Sequence, residues 1–453
     1  MNKFLFWLTC IVIATGLLFG GGTRQGLISD SIPQIFALLL IAFAAPAAMP
    51  ILRNERWTVV LLLGILILPL SQIIPLPSFI WKILPGRQAI LDIYTVAGVE
   101  IAWRPLSLIP SASWRAFIFL LPAAAVFLCV LSLDRQARQW LLFLILAVSI
   151  VSVPVAMLQV VGGPDSPLYF FDITNAGRGV GFFANANHFA AFQYAMLPLA
   201  ACALIGAREQ LGGQPLLIFG AVGAISLTGL SLSGSRSALL LGVLSAGLTA
   251  VFILRSEISK IGRRRGMLVA VGLLLLLIPL ASGMGLLAIL ERFGKQDVAE
   301  DARWVLAGNT WRAIWNYFPF GSGFGTFPDI YQFHERIQDV FPAFVNRAHD
   351  DLLEILLEGG VFSLCLLIGL IAWLVVHTIK AFRRELSPGT LQARAGIIVL
   401  WLFLIHSLWD YPMRTTALTT VAAVCMAFQF RSQFERGIQS ASSRPRRKRS
   451  ASR

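Results

Sequence analysis

The chain has 453 residues, of which 57% are hydrophobic and only 13% charged. A soluble domain carries about 25% charged residues, so the composition excludes an ordinary soluble enzyme and implies one integral-membrane domain solvated mainly by lipid. The net charge of +14 would suit nucleic acid, but much of it sits in short loops and in the tail RPRRKRSASR, which fits the cytoplasmic side of a membrane protein and anionic headgroups instead.

A spanning helix needs about 20 mostly apolar residues. Twelve stretches meet that need: 4–20, 33–51, 57–75, 115–133, 139–162, 186–206, 214–232, 236–254, 267–290, 352–378, 395–413 and 415–431. The reading is an all-α integral membrane protein of about 12 transmembrane helices. The first stretch resembles a signal peptide, with Lys3 before an apolar run, but no A-x-A-type site closes it, so a retained helix is expected. The five cysteines all fall inside apolar runs and show no metal-ligand spacing, as small core residues would.

Loop charge gives the orientation. With the N-terminus inside, the cytoplasmic segments hold 23 of the 37 basic residues but 6 of the 23 acids, a net +17 inside against −3 outside. Both termini are then cytoplasmic. Three outer segments exceed a simple turn: 76–114, 163–185 and 291–351. Their Pro, Gly and aromatic residues suit folded re-entrant or interfacial pieces. A polytopic domain over 1–432 and a disordered, basic cytoplasmic tail over 433–453 follow.

On this topology the ionisable residues of the outer face form a few groups. Arg178 lies in NAGRGVGFFANANHFAAF, followed by Asn185, Asn187 and His188. Arg236 lies in SLSGSRSALLL, where Ser233 or Ser235 could cap the next helix and turn its amides toward an anion. Arg303 and Arg312 lie in DARWVLAGNTWRAIW. His349 stands with Asp350, Asp351 and Glu354 at the start of the tenth helix. The last outer turn, HSLWDYPMR, adds His406, Asp410, Tyr411 and Arg414. Each has a plain alternative: an arginine at a helix end snorkels to headgroups, a histidine or aspartate there caps, and tryptophans line the interface. Three separated arginine motifs on one face with one histidine are less easily explained that way. Arginine's planar fork suits phosphate. No HxxxH or DxD set lies outside, so no metal is expected.

The runs GRGVGFFANANHFAAF, SGSRSALLL, DARWVLAGNTWRAIWNYFPFGSGFGTF and AHDDLLEILLEGG resemble the O-antigen ligase superfamily of bacterial membrane glycosyltransferases, over roughly 170–415. The resemblance implies a GT-C-like helical architecture with a large helical periplasmic loop. It implies a metal-independent, inverting glycosyltransferase that moves a glycan from undecaprenyl diphosphate to lipid A-core at the periplasmic face of the inner membrane, with no cofactor and no nucleic acid. Polymerisation of O-antigen or exopolysaccharide onto a second lipid-linked glycan is the alternative, and a polysaccharide transporter a more distant one. Carried over by motif, His349 is the catalytic histidine, Arg236 and Arg303 hold the diphosphate, and Arg178 is a third candidate. Arg312, Asp350, Asn187, His188, Asp410 and Arg414 are supporting candidates. Asp350 stands where many relatives have Asn.

Overall fold

The computed structural model describes residues 3–24, 26–212, 214–260, 298–340 and 344–430. The expected span 267–290, the first residues of the long polar loop and the basic tail 433–453 lie outside them. Among the described residues the chain is almost wholly helical. The first half holds α1 (Lys3–Phe19), α2 (Ile28–Leu52), α3 (Arg56–Ser71), the short α4 (Ser78–Lys82) and α5 (Gln88–Ala97), α6 (Pro110–Ser132) and α7 (Arg135–Val161). Then come α8 (Ala186–Gly206), α9 (Pro215–Ser233), α10 (Arg236–Thr249), which runs through a π turn into α11 (Arg255–Lys260), α12 (Val298–Tyr317) and α13 (Phe327–His334). The chain closes on α14 (Asp351–Arg383), α15 (Pro388–His406) and α16 (Thr416–Ala427).

Among the described residues, eight helices are long and apolar enough to cross a membrane: α2, α6, α7, α8, α9, α10 with its continuation, α14 and α15. Three more apolar helices, α1, α3 and α16, are shorter. The helix expected at 395–413 is displaced. It starts at Pro388, behind a capping box made by Ser387 and Thr390, and ends at His406, so the polar run 407–415 is a turn rather than helix.

Where the helices end is written in their caps. Asp134 accepts from the amide of Ala137 at the start of α7, and Ser235 from that of Ala238 at the start of α10. The centre of the bundle is α8. Its sequence, ANHFAAFQYAMLPLAACALIG, is rich in alanine, which lets neighbouring backbones approach from all sides. It packs against α7, α9, α10 and α15.

The long loop folds on itself. Leu306, Ala313 and Ile314 of α12 meet Phe327, Ile330 and Tyr331 of α13, and this small core sits on Leu357 of α14. Backbone bonds seat it: Ser322 donates to the Leu357 carbonyl (3.0 Å), Gly323 to that of Glu358 (2.9 Å), and Val361 to that of Pro319 (2.8 Å). The contact breaks α14 at Gly360, whose φ of 58° an L side chain rarely adopts. A Cβ there would stand 2.0 Å from the Pro319 carbonyl oxygen. The segment 72–108 binds the same place. Its strands Pro75–Leu76 and Arg104–Pro105 pair antiparallel, and Gln72 bonds both Glu358 and Phe324 of the loop contact.

Candidate active site at one end of the bundle

Five connecting segments converge at one end. Ala184 donates to the Gly21 carbonyl (3.0 Å), Ala417 to that of Gly20 (3.0 Å), Gly179 to that of Leu232 (2.9 Å), and Asp351 to that of Ser407 (3.0 Å). The turns before α2, α8, α10, α14 and α16 thus form one platform. All the candidate residues within the bundle lie on it.

At its centre is Asp410, fully buried. Three histidines surround it: His349 Nδ1 at 3.7 Å, His188 Nε2 at 3.9 Å and His406 Nε2 at 4.0 Å. Asn187 donates to its Oδ2, and the amide of Tyr411 to its Oδ1. Burial opposes its ionisation, but the imidazole of His349 close by, together with His188 and His406, outweighs that, so the carboxyl lies below the usual carboxylate range. The ring of Tyr411 stands edge-on between His188 and His349, at 4.8 and 4.9 Å. Burial and the Asp410 charge push its phenol up, so it stays neutral.

His349 differs from the other two histidines. His188 and His406 are fully buried, whereas 30% of the His349 side chain is exposed. Among the described residues it is also the non-glycine residue with positive φ, 53°. Such a backbone persists only where its surroundings impose it, and the imposing groups are visible on both sides. Before it, Ala348 donates to Glu354 (3.0 Å) and Arg347 pairs with the same carboxylate (2.7 Å). After it, Asp350 caps α14 by accepting from Leu352 and Leu353 (2.9 and 3.0 Å). Asp350 is therefore a helix cap, and that explains the carboxylate beside the histidine.

A second charged cluster adjoins the first. Asp351, Glu354 and Glu358 share one face of α14 at helical spacing. Arg414 reaches all three, at 3.1, 3.4 and 3.2 Å, while Arg347 takes Glu354 and the Thr23 carbonyl. Burial alone would weaken the Arg414 charge, but the three carboxylates more than reverse that and hold it firmly protonated. Glu358 also accepts from the amides of Gly325 and Phe327, which ties the long loop to this cluster. Arg347 and Glu358 did not stand out in the sequence. The signal was there: three acids on one face of an otherwise apolar helix require buried counter-ions.

The arginine candidates separate. Arg236 is the first residue of α10, behind the Ser235 cap, half-buried. Arg178 lies in the loop that Gly179 pins to Leu232, just before that cap, so Arg178 and Arg236 belong to one patch. Arg303, on α12, stands near enough to His406 for their charges to interact. Arg312 is drawn elsewhere, to Asn309 and to Asp339 at 3.8 Å within the long loop.

The arrangement can orient one imidazole and take a proton on it. Asp410 faces Nδ1 of His349, which leaves Nε2 to meet a hydroxyl, the division of labour that a carboxylate–histidine pair provides. Residues 221–382 match a family model described as O-antigen ligase. The matched span is narrower than the 170–415 of the sequence resemblance; it includes Arg236, Arg303, Arg312, His349 and Asp350, while Arg178, Asn187, His188, Asp410 and Arg414 fall outside it. No curated protein matches the chain. This match supports the resemblance of the chain to the O-antigen ligase superfamily through residues 221–382.

Proposed function

We propose that the protein transfers a glycan from undecaprenyl diphosphate to an acceptor sugar, with lipid A-core as the acceptor, at the periplasmic face of the inner membrane. The observation that carries this reading is His349, half-open to solvent and backed by the buried Asp410, inside the span that matches the ligase family. An acceptor hydroxyl attacks the anomeric carbon as its proton passes to His349 Nε2, and the bond from that carbon to the diphosphate oxygen breaks. General-base help of this kind is typically worth about 10²–10⁴-fold. Arg236 and Arg303, with Arg178 beside Arg236, neutralise charge growing on the leaving diphosphate. A single inverting displacement is the step proposed, since among the described residues the platform carboxylates Asp351, Glu354, Glu358 and Asp410 are buried and engaged by their neighbours.

The charge pattern supports the sidedness. The platform end carries the acids and the arginine motifs, and among the described residues Arg53, Arg56, Arg135, Arg138, Arg383 and Arg384 stand at the opposite ends of their helices. Replacing Arg303 with Ala should lower transfer by about 10²–10³-fold, the usual cost of losing one stabilising donor, while the protein still reaches the membrane. Unimpaired transfer by that variant would sink the assignment. Deleting the gene separates ligation from polymerisation: a ligase leaves carrier-linked polymer and truncated lipopolysaccharide, whereas loss of the polymer itself means polymerisation.

A further inference from the structure

A cavity of about 490 Å³ opens beside the platform, bounded by α2, α3, α6, α14, α15 and α16. Its wall along α14 runs from Leu352 past the break at Gly360 to Leu374, and the unbroken stretch from Ser363 to Leu374 alone is about 17 Å at 1.5 Å per residue, comparable to the hydrocarbon depth of one leaflet. That wall is almost wholly apolar. The charged residues lie at the platform end: Arg24, Arg115, Arg347, Arg414, Asp30 and Asp351. Four of these are satisfied within the protein. Arg347 and Arg414 hold the acids of α14, Asp351 belongs to that set, and Asp30 accepts from Thr416 (3.0 Å). Arg24 and Arg115 are exposed and have no hydrogen bond or ion pair among the described residues. They come from separate segments yet converge: Arg115 lies over Gly26, where a Cβ would meet its Cδ at 3.2 Å.

An apolar channel at least as deep as one leaflet, with two uncompensated arginines at its mouth, complements a hydrocarbon chain that ends in phosphate. We propose that the cavity holds one chain of a phosphorylated membrane lipid, its phosphate on Arg24 and Arg115, and that this lipid is the acceptor. The acceptor assignment rests on the glycan-transfer reading. Its basis is position: the cavity reaches Arg347 and Asp351, two residues either side of His349, and is lined by none of Arg178, Arg236 and Arg303.

Binding tests this without turnover. The purified full chain in neutral detergent is titrated with phosphatidic acid and with diacylglycerol of the same chains, read by native mass spectrometry. The wild type should prefer phosphatidic acid by at least about tenfold, the scale of charge-assisted pairing, and the Arg24→Ala/Arg115→Ala variant should lose that preference at unchanged melting temperature. Arg24→Lys/Arg115→Lys should keep part of it. Equal affinity for the two lipids, or a preference that survives the alanine variant, overturns the site. Displacement by inorganic phosphate at matching concentration also overturns it, because the chain would then contribute nothing. Displacement by undecaprenyl phosphate would assign the cavity to the donor's carrier and overturn the acceptor assignment. A protein that binds as described but transfers no glycan would instead refute the transfer reading.

Discussion

Two buried acidic sites, one of three carboxylates and one of a single aspartate, meet at residues 347–351, and they face different chemistry. Asp351, Glu354 and Glu358 face Arg347 and Arg414, whereas Asp410 faces His188, His349 and His406. Arginine keeps its proton at any physiological pH and holds carboxylates in fixed geometry. Histidine can accept and release one. The first cluster is therefore a joint that ties α14, the long loop and the turn before α16. The second can take part in a reaction. His349 is the point of contact, because the joint fixes its backbone while Asp410 orients its ring.

The difference can be broken from either side. Glu354→Gln should have the largest effect on the fold. It leaves two buried arginines short of charge, and breaking a buried pair costs about 3–5 kcal/mol. The melting temperature and the monodisperse yield in detergent should both fall sharply. Asp410→Asn should spare the fold far more and strike the chemistry, lowering transfer by about 10²-fold as His349 loses its orienting partner. The sign with pH is distinctive. A carboxylate whose folded pKa is depressed contributes stability above its ordinary pKa and loses it only as pH falls through the lower value. Asp410 is thus ionised throughout the physiological range, so protonation of Asp410 itself should add no acid limb to the wild-type rate profile between about pH 5 and 8. Asp350→Ala should be mildest: loss of a helix cap costs about 1 kcal/mol, visible as a small drop in melting temperature, with transfer nearly unchanged. Asp350→Asn, which keeps the cap, should be close to wild type on both readings. A large loss of transfer in Asp350→Asn would mean that this carboxylate acts on His349 after all.

Much of this was legible in the chain. Apolar runs of membrane length located the long helices among the described residues, with the one at 395–413 displaced, since lipid leaves a spanning backbone no other common solution. Arg236 behind a serine cap was readable because capping is local. The ring of histidines around Asp410 was not, because His188, His349 and Asp410 lie 61 to 222 residues apart in sequence, and it takes the packing of α8 against α15 and the seating of the start of α14 on Ser407 to bring them together. Arg347 was hidden for a similar reason: a basic residue in VNRAHDD reads as a surface charge until Glu354 is seen folded back on it. The start of α15 was misplaced because Thr390, Gln392 and Arg394 lower the local hydropathy, although the Ser387 capping box and Pro388 mark it correctly.

The account stands or falls on His349. The direct measurement is glycan transfer from a purified undecaprenyl diphosphate-linked donor by the full chain in proteoliposomes, wild type against His349→Ala, at matched protein content and melting temperature. A drop of at least about 10²-fold, with donor binding retained, is the predicted result for a lost general base. Transfer within a few-fold of wild type would contradict it.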